Sequence, residues 1–97
     1  NVKNSYWLTT LIYEKKFNYE KKYLMDKFLD KGIVIRPFFN QLSKIPAFIK
    51  DYEAEKARKN NFVANDICSR GINLPSALCL EEKDIDYVCN FIQEIFN

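Results

Sequence analysis

The spacing of apolar residues changes period several times along this chain. From Tyr6 to Glu14 the residues are mostly aromatic or β-branched, which predicts a strand over 6–14. The pattern then turns helical. Leu24, Met25, Phe28 and Leu29 share one face, so residues 19–31 read as an amphipathic helix, with Asn18 as its N-cap, Glu20 in its first turn and Gly32 as its stop. Residues 33–38 return to a β-branched run and form a second strand, which must end at Pro37 or lie at a sheet edge because proline cannot donate to a ladder. A short helical turn over 44–50 contains Pro46. The crowded, mixed charges of 51–60 read as a solvated helix face or loop. Ala57, Ala64, Ile67 and Cys68 predict a helix running to about Arg70 and stopped by Gly71, and Ile72 to Pro75 form a short extended piece. Ile85, Val88, Cys89, Ile92, Ile95 and Phe96 make the apolar stripe of a closing helix over 82–96, with Asp84 and Asp86 near its positive end.

This order predicts an α+β fold: a small two- or three-stranded sheet covered by helices, most naturally on one face. The first strand is apolar on both sides, through Trp7, Leu8, Leu11 and Ile12, with Trp7 expected in the core. The uncovered face therefore calls for a partner, either more of the same chain or a second subunit. The 97 residues suit one domain over 1–97, and 47% apolar content argues for a folded one. The chain starts at Asn1 with no secretory leader, which suggests a piece of something longer.

Charge and composition narrow the chemistry. A net charge of +2 is too weak to argue for nucleic acid or a membrane surface, and no apolar run approaches the roughly 20 residues of a membrane span. There is no histidine, so the commonest general base and metal ligand are missing. Cys68, Cys79 and Cys89 form no CxxC pair. Their odd number and wide spacing fit a reduced, cytoplasmic compartment and small buried hydrophobes better than disulfides or a metal site. No catalytic set is visible. What does stand out is Gly32-Ile33-Val34-Ile35-Arg36-Pro37-Phe38-Phe39, a helix stop leading into a strand that ends in arginine, proline and two aromatics. A strand that only packs has no use for such an end. This one is written to deliver a charged side chain to a site.

Five segments in order carry a resemblance. They are Ser5-Tyr6-Trp7-Leu8, the Gly32–Phe39 segment, Leu42-Ser43-Lys44-Ile45-Pro46-Ala47-Phe48, Ser69-Arg70-Gly71-Ile72-Asn73-Leu74-Pro75-Ser76, and Ile85-Asp86-Tyr87-Val88. Together they resemble the C-terminal small domain of the DegT/DnrJ/StrS sugar aminotransferases, of the perosamine-synthase type, within the aspartate aminotransferase fold. The resemblance implies a pyridoxal-phosphate enzyme that moves an amino group from glutamate to a nucleotide-linked keto-sugar for surface polysaccharide. It also implies a homodimer and a large N-terminal domain that carries the catalytic lysine and most of the cofactor site. On that reading Arg36 contacts the anionic part of the substrate, or else pairs with an acid inside the domain. Phe38, on the same side of the strand, lines the sugar pocket or simply packs in the core. Ser43 stands where the family often has histidine, offering the substrate a hydroxyl but no charge. A sugar dehydratase of the same fold and a non-catalytic interaction module are the alternatives.

Overall fold

The computed structural model describes all 97 residues. Three short strands, β1 (Thr10–Ile12), β2 (Arg36–Pro37) and β3 (Gly71–Asn73), and four helices, α1 (Lys21–Asp30), α2 (Tyr52–Asn60), α3 (Phe62–Arg70) and α4 (Glu82–Phe96), form the α+β architecture. The sheet order is β1-β3-β2, with the strand that comes last in the chain at the centre and antiparallel to both neighbours. None of the helices is long and apolar enough to cross a membrane.

The first strand is shorter than its composition predicts. Tyr6 lies at φ 53°, in the left-handed region, and breaks the extended run before it begins. Only Thr10–Ile12 lie in the ladder, lengthened by Leu74 N–H donating to Thr9 O and Tyr13 N–H to Arg70 O. The reason lies in the partner: β3 is three residues long, so neither neighbour can pair for longer. Trp7 is not in the core. It is 71% exposed and stacks on Phe39 at 6.3 Å, joining the segment before β1 to the one after β2.

The boundaries of α1 follow from local backbone chemistry. Asn18 is not its N-cap. It adopts φ 43° at the end of a 3-10 turn over Lys15–Phe17, a conformation asparagine tolerates, and the helix starts three residues later after Glu20. At the other end Gly32 has φ 72°. Its N–H donates to Leu29 O at 2.8 Å and that of Ile33 to Phe28 O at 2.9 Å, a Schellman stop whose apolar clasp is the buried pair Phe28 and Ile33. Helix α4 begins with a reciprocal capping box between Glu81 and Asp84. Helix α2 begins on Asp51, whose carboxylate accepts from Glu53 N–H and Ala54 N–H.

Residues opposite one another across a sheet share a face. Leu11, Ile72 and Pro37 therefore lie on one side, continued by Ile35 and Tyr13. That side is the core. Tyr13, Leu24, Phe28, Ile33, Ile35, Ile72 and Phe91 form one buried cluster, with Phe28 of α1 edge-on to Phe91 of α4 at 4.8 Å. Thr10, Asn73 and Arg36 lie on the other side, with Ile12 and Phe38 further along. Helices α2 and α3 have no buried residue, and Thr10 and Arg36 on this side are exposed. The radius of gyration, 15.8 Å, exceeds the roughly 13 Å of a self-contained domain this long.

Gly71 does not stop α3 by a left-handed turn. It is the first residue of β3, in ordinary extended backbone, and its value is size: an added Cβ would lie 2.7 Å from Phe38 Cβ and 2.9 Å from Ile67 O. Gly32 faces open space, so only its φ opposes substitution. Gly71→Ala should destabilise the protein by about 1–3 kcal/mol through this overlap and Gly32→Ala by about 1–2 kcal/mol through strain, both read from denaturant unfolding. A neutral Gly71→Ala would contradict the close approach of β2 and β3.

Candidate functional site

The three arginines have different fates. Arg70 lies along Asp66, with Nε donating at 3.0 Å to Oδ1 and Nη2 at 2.5 Å to Oδ2, and it also donates to Tyr13 O. Lys15 adds a second cation 3.2 Å from the same carboxylate. Hydrogen bonding from Arg70, helped by Lys15, holds the Asp66 carboxyl at about 2, below its ordinary 3.8. With Tyr13, Asn18, Tyr19 and Ser69 these groups border a polar cavity of 380 Å³. The cluster is satisfied internally and ties α3 to the turn after β1.

Arg58 is also committed. It donates to Ser43 O and to Ile49 O, clamping the two 3-10 turns at Leu42–Lys44 and Pro46–Phe48 onto α2. Gln41 Nε2 donates to Asn65 Oδ1, and Asn65 Nδ2 donates to Arg58 O at 3.1 Å, which closes the network. Ser43 is buried inside it. Its hydroxyl faces Gln41 Oε1 at 3.5 Å, so in this arrangement it secures the loop from within.

Arg36 has no such partner. Its side chain is exposed on the open sheet face, and no hydrogen bond or ion pair within the chain engages the guanidinium. The alternative of an internal acid therefore finds no counterpart in the structure. Phe38 follows on the same side. It is half-buried over Gly71 and forms one wall of a 510 Å³ groove with Phe62, Val63, Ala64, Ile67 and Cys68. Arg36 and Phe38 are thus brought to one strand end, while Ser43 lies beyond it in the clamped loop.

The cysteines depart from expectation. All three are free thiols, but Cys79 and Cys89 are exposed, and Cys68 is half-buried with its Sγ 3.0 Å from Phe39 O. The sequence pattern also gave no sign of Asn73. It is 5% exposed, sits between Thr10 and Arg36 on the open face, and accepts a hydrogen bond from Thr10 Oγ1 at 2.8 Å. Only the register of the ladder reveals it, and a three-residue strand carries too little periodicity to fix a register.

The site is thus one exposed sheet face that carries one uncommitted guanidinium. The chain belongs to the DegT/DnrJ/EryC1/StrS aminotransferase family, whose sequence pattern it matches over residues 1–93. It is 34% identical over 94 residues to the GDP-perosamine synthase of Vibrio cholerae, a match covering 97% of this chain and 24% of that protein. It is 28% identical over 97 residues to the GDP-perosamine synthase of Escherichia coli O157:H7, covering 100% of this chain and 24% of that protein. The chain therefore spans about a quarter of the length of these relatives and corresponds to their C-terminal part.

The Asp66 cluster makes a prediction with a definite sign. A carboxyl whose folded value is depressed stabilises the fold fully above its unfolded value, and that contribution is lost as pH falls through the folded value. Asp66→Asn should lower the melting temperature at neutral pH, and its difference from wild type should shrink between pH 3.8 and about 2. A difference independent of pH would show that the charge of Asp66 contributes nothing.

Proposed function

We propose that this chain is the substrate-facing small domain of a nucleotide-sugar aminotransferase. In this reading the full protein moves an amino group from glutamate to a keto-sugar linked to a nucleoside diphosphate. GDP is the nucleotide in the names of both relatives. The observation that carries the reading is the family match across the chain, joined to an exposed, unpaired Arg36 on the open sheet face. The product is an amino sugar for surface polysaccharide, made in the cytoplasm by a homodimer.

The chain's own residues do not fit a pyridoxal phosphate site. Every lysine except Lys21 is exposed. Lys21, whose ammonium burial pushes toward the neutral form, is tied to Cys68 O. In this reading the cofactor lies against residues outside these 97, in a large domain that covers the apolar surface left open here. That surface includes Trp7, Phe39, Leu42, Phe48 and Phe62, all more than half exposed.

What these residues contribute is binding and orientation. A guanidinium presents a planar fork of donors that suits phosphate oxygens, and it keeps its charge at any working pH. Phe38 and the groove beside it supply an apolar wall two residues along the same strand from Arg36. The clamp of Arg58 on Ser43 and Ile49 fixes the loop that follows.

Arg36→Ala in the full-length protein tests this. Loss of a charge-assisted contact should lower kcat/KM for the nucleotide-linked keto-sugar by about 10- to 150-fold and leave the glutamate half-reaction unchanged. Equal losses in both half-reactions would contradict a substrate role for Arg36.

A further inference from the structure

Asn73 is nearly sealed, yet it has an idle donor. Its Oδ1 is taken by the Thr10 hydroxyl, which fixes the carboxamide so that Nδ2 points away from Thr10. Nδ2 donates to no group in the chain. It is not entombed either, because no side-chain polar atom here is both fully buried and without a partner. An amide on a 95%-buried residue, with both N–H donors unused, has room for an acceptor that the chain does not supply. Asn73 shares its side of the sheet with Thr10 and Arg36, since the three are directly opposed across it. Opposed residues bring their Cβ atoms to about 4.5–5.5 Å, within reach of a single small group. On that row, Thr10 Oγ1 is spent on Asn73, Nδ2 is a neutral donor and Arg36 is a charged one. An amide donor and a guanidinium on one row of the sheet suit an anionic oxygen group.

We propose that Asn73, oriented by Thr10, forms with Arg36 a two-donor cradle for a phosphate of the nucleotide-linked substrate. The inference rests on the aminotransferase reading for the identity of the anion, and on the sheet register for the cradle itself. Asn73 is a specificity residue here: its amide offers a directed hydrogen bond that a mobile arginine alone does not. Thr10 is a positioning residue, acting only through the orientation of that amide.

The test is binding of GDP and of pyrophosphate to the full-length protein by calorimetry, with guanosine as the phosphate-free control. Asn73→Asp keeps the shape and the acceptor for Thr10, but sets a carboxylate opposite Arg36 and against the anion. Affinity for both phosphate probes should fall about 10- to 100-fold, with guanosine unaffected. Thr10→Val, on an exposed strand position, should weaken both by about 2- to 12-fold through loss of one orienting hydrogen bond. The glutamate half-reaction should not change in either variant, a result that a merely structural role would not produce. Unchanged GDP and pyrophosphate affinity in both variants, alongside a weakened Arg36→Ala, would overturn the cradle. If amino transfer from glutamate proceeds normally in that case, the aminotransferase reading stands without it. If the phosphates bind as proposed but no amino group is transferred, the cradle stands and the enzymatic reading fails.

Discussion

Both outer strands hydrogen-bond only to β3, so three residues hold this sheet together. Each of the three does a different job. Ile72 drives its side chain into the core beside Leu24 and Phe28. Gly71, lacking a Cβ, lets β2 come close enough for Phe38 to lie over it. Asn73 joins the polar row on the opposite side. The core and the candidate site are thus two faces of one strand, and a change in β3 register by a single residue would exchange them. This is why the two helices with buried residues, α1 and α4, matter to a site they do not touch: they select the register by taking Ile72.

The arginines show how the fold separates structural charge from available charge. Arg70 is held by Asp66 and Arg58 by backbone carbonyls, and both hold segments together. Arg36 has the same chemistry but no partner, because the edge strand presents it on a part of the sheet face that is exposed. An exposed ion pair contributes little to stability in any case, so leaving Arg36 unpaired costs the fold little while keeping a full charge free for a ligand.

Much of the architecture was legible in the sequence where periodicity was long and local chemistry decisive. Helix α4 lies at 82–96 as its apolar stripe predicts, and the Gly32 stop follows from a residue that alone adopts φ 72° without strain. Pro37 marked the edge strand correctly. Prediction failed where tertiary pairing set the limits. An aromatic run of nine residues became a strand of three, because its partner is no longer than that. Asn18 has the chemistry of a cap but serves a different turn, and Trp7 is aromatic enough for a core that does not reach it. The same gap hid Asn73 from the site, since its importance comes from what lies opposite it across the ladder and not from its neighbours in the chain.

In the proposed function the open sheet face meets the phosphates of the substrate. A crystal structure of the full-length protein with its nucleotide-linked sugar tests that most directly. A phosphate oxygen should lie within hydrogen-bond reach, about 2.7–3.2 Å, of the Arg36 guanidinium and of Asn73 Nδ2. Phosphates bound elsewhere, with Arg36 paired to an acid of another part of the protein, would contradict it.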